Sequence, residues 1–230
     1  MIAIIGAMDE EIELLKASIE NPQEEFIANC LFIRGSLKGQ DVVLLKSGIG
    51  KVNAALAATI MHERYQPEFT INTGSAGGFK EDLEVGDIVI STEVLYHDVD
   101  VTAFDYVPGQ VPGMPAAFPA DAELIKKTVD AAQGLSINSA LGIIATGDVF
   151  MSDPAVVAKA REQFPSMIAA EMEAAAIAQV CYQYNTPFVI IRALSDIAGK
   201  ESAVSFDAFL DTAAKNAASL IMRVLETIRR

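Results

Sequence analysis

The sequence predicts an α/β fold, a three-layer αβα sandwich around a central mixed sheet, and three observations predict it. Short segments rich in β-branched residues alternate with segments of helical periodicity, the pattern of strands and helices packed in layers. Two strand segments, 31–34 and 42–46, are separated by little more than Leu37-Lys38-Gly39-Gln40, so a hairpin breaks strict parallel order. The chain has 230 residues, 51% of them hydrophobic, enough for one substantial core, and reads as a single domain over 1–230.

In chain order, a strand at 3–5 leads through Gly6-Ala7-Met8 to a helix over 10–20 opened by Asp9-Glu10-Glu11. The macrodipole favours acids in that first turn whatever else they do. Spacing allows at most one of the three a catalytic role and does not say which. The hairpin follows, then a helix over 51–65 and strands at 69–72 and 88–91, each short and bounded by Gly, Pro or Asn. Residues 96–119 are the least regular stretch, with Pro108, Gly109, Pro112, Gly113 and Pro115 among apolar residues. A long ordered loop of that kind is usually functional or an interface. A helix over 122–132, a strand at 140–145 and helices over 154–163 and 171–184 come next. The apolar run 188–191 reads as a buried strand ending at Arg192. The last helix, 206–228, aligns Phe206, Phe209, Leu210, Ala213, Ala217, Leu220, Ile221, Val224 and Ile228 on one face, with Ser205 or Asp207 as its opening residue.

Composition narrows the function. The formal charge is -14, and the basic residues are scattered, which disfavours a nucleic-acid footprint and an anionic membrane surface. It suits a neutral or cationic small ligand, although the acidity by itself also keeps an apolar, Ala-rich chain soluble. The start of the chain lacks a cationic n-region, and acids follow its short apolar run at once, unlike a signal peptide. No stretch approaches a membrane span. Cys30 and Cys181 have no spaced partners and read as buried free thiols, which points to a reducing cytoplasm. His62 and His97 are the only histidines. Zinc chemistry is therefore disfavoured, and His97-Asp98-Val99-Asp100 reads as a loop of solvated charges.

Two late runs carry most of the functional signal. Glu171-Met172-Glu173 places two carboxylates at the start of a helix, and Arg192-Ala193-Leu194-Ser195-Asp196 closes a strand. Open α/β sheets bind ligands at the carboxyl ends of their strands, so these groups can meet in one cleft, where carboxylates suit proton transfer. Each run alone is also what a dipole-favoured helix start and a capping Asp give; together they point to a site. Asn72-Thr73-Gly74-Ser75-Ala76-Gly77-Gly78, placed directly after a strand, lets backbone approach a ligand, with amides and the Ser75 hydroxyl as donors. Ser47-Gly48-Ile49-Gly50-Lys51 fits neither a Walker motif nor the dinucleotide fingerprint. Phe150-Met151 follows Thr146-Gly147-Asp148, where an aromatic either stacks on a planar ligand or packs in the core.

These motifs, in order and with Tyr96-His97-Asp98-Val99-Asp100-Val101-Thr102 between them, resemble the 5'-methylthioadenosine/S-adenosylhomocysteine nucleosidase family of the nucleoside phosphorylase superfamily, nearly end to end. The resemblance implies a homodimeric enzyme, without metal or other cofactor, that hydrolyses 5'-thio-substituted adenosines and releases adenine. It implies that Glu11 is the general base on water and that Asp196, beside Ser195, protonates N7 of adenine, its pKa raised by burial and neighbouring acids. Glu173 would bind the ribose hydroxyls, with Met172 against the sugar and Ser75 and Gly77 lining the site. Phe150 would stack on adenine, which Met151 would bond through its backbone; many relatives have Ile at that position. Ile49, Met8 and Phe206 would add apolar wall. Val101, Phe104 and Pro112 would cross the dimer to close the partner's 5'-thio pocket. Two other readings stand beside this one. A phosphate-dependent nucleoside phosphorylase is disfavoured because Asn72 stands where hexameric relatives carry an arginine and Glu11 faces the anion's place. A nucleoside-binding protein on the same fold is disfavoured by Glu11, Glu173 and Asp196 standing together.

Overall fold

A computed structural model describes residues 1–135, 137–200 and 202–228. β1 (Ile2–Gly6) leads to α1 (Asp9–Ser18), and β2 (Glu20–Ile27), β3 (Cys30–Leu37) and β4 (Gln40–Lys46) form an antiparallel meander. α2 (Lys51–Tyr65) returns the chain to β5 (Phe69–Gly78), followed by β6 (Ile88–Tyr96), a single 3-10 turn (Thr102–Phe104) and the short β7 (Phe118–Pro119). α3 (Ala122–Gly134), β8 (Ser139–Thr146), α4 (Pro154–Gln163), β9 (Met167–Glu171), α5 (Ala174–Tyr184), β10 (Phe188–Ile197) and α6 (Ser202–Ile228) complete it.

The ten strands make one mixed sheet in the order β10-β6-β8-β9-β5-β1-β4-β3-β2, with β7 on β6. β10 pairs with β5 as well, so β10, β6, β8, β9 and β5 close on themselves. The layers follow from strand periodicity. In β1, Ile2 and Ile4 join the core beneath α1, α3 and α6, while Ala3 and Ile5 join the core beneath α2 and α5. Small residues let α2 and α5 lie close: Ala54, Ala57, Ala58 and Ala174 to Ala176 are all buried. Cys30 and Cys181 are buried free thiols. Among the described residues no helix is long and apolar enough to cross a membrane.

The structure redraws several boundaries. β5 runs on to Gly78 and β10 to Ile197, paired side by side. The run 72–78 is therefore strand, not a turn after one. Its small residues make room for charged side chains: a Cβ on Gly74 would lie 2.2 Å from Arg192 Nη1, and one on Gly77 3.2 Å from Asp196 Oδ2. Glu20 starts a strand instead of ending α1. β2 is an edge strand with an almost wholly exposed, acidic sequence, so it shows no apolar alternation, and its charges guard the edge. The sequence offers no strand over 167–170 and gives Glu171 to a helix, since Ala is a poor strand former, but Ala169 and Ala170 are buried in β9 between β8 and β5. Glu171 is accordingly the end of a strand, and α5 begins only at Ala174. α6 starts at Ser202, ahead of Ser205 and Asp207. Phe209 is 44% exposed and stands apart from the buried Ala213, Ala217, Leu220, Ile221 and Val224.

Candidate active site

The carboxyl ends of β1, β5 and β10 meet the end of β9 around a cavity of about 370 Å³. Glu11, Asp196, Ser195, Ser75, Gly77, Met151, Phe150, Met172, Glu173, Ile49, Met8 and Phe206 all line it. Val101, Phe104 and Pro112 do not; they lie on the segment beyond β6, with Phe104 74% exposed.

Each polar wall is built by its strand. Asp9 and Glu10 are exposed and Glu11 is buried, which separates three acids that spacing alone could not rank. Glu11 Oε2 accepts from the Ala7 and Met8 amides at 2.8 and 3.2 Å, closing the first turn of α1. Its Oε1 accepts from the Ser75 amide and hydroxyl at 2.9 and 3.1 Å. Ser75 thus ties β5 to Glu11 on α1. On β10 the register with β5 slips between Leu194 and Asp196. Such a bulge re-aims side chains, and Asp196 is buried facing Gly77, with Ser195 Oγ donating to its Oδ1 at 3.0 Å.

The buried guanidinium of Arg192 organises the acids, a part the sequence did not disclose. Its Nη2 donates to Glu171 Oε2 at 2.5 Å and to Asn72 Oδ1 at 2.7 Å, and lies 3.6 Å from Glu173 Oε2. Asn72 is therefore inside β5 as a support for Arg192, its amide donating to Ile5 O at 2.9 Å. Glu171 Oε2 also accepts from the Glu173 and Ala174 amides at 2.9 and 2.8 Å, capping α5, while Thr146 Oγ1 bonds Oε1. Burial and the neighbouring Glu171 push the Glu173 carboxyl up to about 8, against the pull of Arg192 and the Gly50 amide. The aromatic rim is half open: Phe150 is 44% exposed and meets Phe206 edge-on at 5.9 Å between centroids.

Arg192→Met leaves Glu171 and Glu173 buried without their cation, a loss of about 3–5 kcal/mol. The expected thermal midpoint falls by roughly 10 °C, read by calorimetry; a midpoint within a degree or two of the parent refutes this account of the acid cluster.

The His97-Asp98-Val99-Asp100 string is a loop in which Asp100 is exposed, as expected, while Asp98 is tied to other segments. The His97 ring packs on Gly147, and burial lowers its pKa. Asp98 Oδ2 accepts from Lys51 Nζ at 2.5 Å and from the Asp148 amide at 3.0 Å. Among the described residues no group of His, Cys, Asp and Glu is arranged to hold a metal ion.

A family model described as the Phosphorylase superfamily matches residues 1–226. The 5'-methylthioadenosine/S-adenosylhomocysteine nucleosidase of Oceanobacillus iheyensis is 61% identical over 227 residues, 99% of either chain. Among solved structures, the nucleosidase of that name from Neisseria meningitidis, in complex with methylthio-immucillin-A, superposes with a TM-score of 0.96 at 47% identity, covering 98% of both chains. The one from Colwellia psychrerythraea, in complex with adenine, gives 0.95 at 51% identity, covering 97% of this chain and 93% of its own.

Proposed function

The chain belongs to the phosphorylase superfamily and, within it, to the 5'-methylthioadenosine/S-adenosylhomocysteine nucleosidases, and from that premise we propose how its cavity does the chemistry. The enzyme is an N-glycosyl hydrolase that frees adenine from 5'-methylthioadenosine and S-adenosylhomocysteine. Loss of adenine leaves positive charge on the sugar and negative charge on the base. Carboxylates near the sugar stabilise the first, and an acid at the base neutralises the second. In our reading Glu11 takes a proton from the attacking water and Asp196 gives one to N7 of adenine. Glu173 holds the ribose hydroxyls with Met172 against the sugar. Phe150 stacks on the base, which Met151 meets through its backbone. Ser75, Gly77, Ser195, Ile49, Met8 and Phe206 complete the wall. 5'-Deoxyadenosine presents the same adenine and ribose and belongs in the same substrate class.

One observation carries the choice of water over phosphate. Glu11, Glu171, Glu173, Asp196 and Asp207 line the cavity, and no Lys or Arg is among its described lining residues. A phosphate anion entering there meets repulsion at close range; Arg192 lies beneath, engaged with Glu171 and Asn72. The test is adenine release from 5'-methylthioadenosine in phosphate-free buffer and again with phosphate. We expect equal rates, with free methylthioribose as the second product. Release only with phosphate, giving the sugar 1-phosphate, overturns the hydrolytic reading.

The finer organisation is also proposed. Residues 1–230 act as one catalytic domain, supported by a family match over 1–226 and one continuous sheet. Two copies form a dimer in which Val101, Phe104 and Pro112 close the partner's 5'-thio pocket. The exposed apolar side chains of Val52, Phe104 and Phe26, at 78%, 74% and 70%, support it. The two buried free thiols suit a reducing cytoplasm.

A further inference from the structure

In the turn Ser47-Gly48-Ile49-Gly50-Lys51 only Ile49 lines the cavity, yet the backbone of its neighbours also reaches the site. α2 is preceded by Gly50 at its capping position, which has no side chain to cap it. Carboxylates from elsewhere in the chain take its first amides instead. Gly50 N–H donates to Glu173 Oε1 at 2.9 Å, and Lys51 N–H to Asp148 Oδ1 at 2.8 Å. The two amides flank the Gly50 Cα, so the two carboxylates hold the same residue at the start of α2 from both sides. Asp148 is itself fastened. Its amide donates to Asp98 Oδ2 at 3.0 Å, and Lys51 Nζ lies 2.5 Å from that same oxygen and 3.9 Å from Asp148 Oδ2.

Gly50 sits at φ +95°, and a Cβ there would lie 3.1 Å from Asp148 Oδ1. Glycine adopts this backbone at no steric cost and leaves the carboxylate its place. Asp148 lies outside the cavity lining, but three walls radiate from it: Ile49 ahead of Gly50, Val149 and Phe150 after Asp148, and Glu173 through the Gly50 amide. An exposed ion pair by itself contributes little to stability. Here the pairs join segments that are far apart in sequence and adjacent only at the site.

We propose that Asp148 is a positioning residue for the hydrolysis: it holds the α2 N-terminus so that the Gly50 amide fixes the Glu173 carboxyl group, with Lys51 and Asp98 keeping Asp148 in place. The proposal rests on the assignment of Glu173 to the ribose hydroxyls.

The experiment compares Asp148→Ala, Asp148→Asn, Glu173→Ala and the Asp148→Ala/Glu173→Ala double variant on 5'-methylthioadenosine. Asp148→Ala is expected to lower kcat/KM about tenfold, chiefly through KM, because small misplacements of a binding group are costly. Asp148→Asn keeps an oxygen for the Lys51 amide and recovers most of the loss. In the Glu173→Ala background the Asp148 change adds nothing, since a residue acting only through another loses its effect with it. Selective 15N-glycine labelling supplies an arm independent of turnover: the Gly50 amide resonance shifts in Asp148→Ala and returns in Asp148→Asn. An unchanged KM, multiplicative effects in the double variant or an unmoved Gly50 resonance each overturn the proposal. Wild-type protein that releases no adenine overturns the nucleosidase reading instead, and the Gly50 resonance still decides this one.

Discussion

Asp196→Asn is expected to lower kcat by about 10²–10⁴-fold, the range that a positioned general acid contributes. Asn keeps the shape of Asp and its oxygen still accepts from Ser195 Oγ, now 3.0 Å from Asp196 Oδ1. What it lacks is a proton to deliver to the departing adenine. Loss of turnover should therefore come with a thermal midpoint close to the parent's and near-normal binding of a non-hydrolysable adenine nucleoside. Steady-state adenine release, calorimetry and a binding isotherm read the three quantities. Turnover within a few-fold of wild type refutes the assignment of Asp196 as the acid.

Glu11→Gln should also abolish turnover, by a similar factor of about 10²–10⁴, but with a different stability signature. Four donors converge on Glu11: the Ala7 and Met8 amides on one oxygen and the Ser75 amide and hydroxyl on the other. A carboxylate accepts on both sides, whereas a glutamine turns an NH₂ toward one pair of donors. A buried donor left facing a donor costs about 1–3 kcal/mol. Glu11→Gln is thus expected to melt earlier than Asp196→Asn while retaining analogue binding. Asp9→Asn is the control: its side chain is 74% exposed and, among the described residues, paired with Lys46 alone, so both stability and turnover stay near the parent's. Equal midpoints for Glu11→Gln and the parent would contradict the four-donor account. Near-normal turnover in Glu11→Gln would remove its role as base.

What was legible and what was not divides along physical lines. β1, the β3–β4 hairpin and helices α2 and α4 were legible because each is written locally, in apolar periodicity bounded by Gly or Pro. β2 and β9 were not. A strand on a sheet edge has no buried face to set its alternation, and a strand flanked on both sides takes the small residues its neighbours demand. The same holds at the site. The residue types at Glu11, Glu173 and Asp196 were visible, and their motif order pointed to the family. Arg192 stood in plain view at a strand end but without a role, as did Asp148 beside the aromatic pair.

The sequence by itself determined the layered α/β class, the acid-rich character of the site and the family to which the chain belongs, because composition, periodicity and motif order are properties of the chain alone. Only the tertiary structure decided which of three adjacent acids is buried, where the register slips to turn Asp196 inward, and that one guanidinium binds Glu171 and Asn72 beneath the cavity. Those choices depend on the pairing of β5 with β10 and β1. Those pairings join residues 67 to 119 positions apart, and at such separations burial and hydrogen-bond geometry replace local spacing as the source of chemical identity.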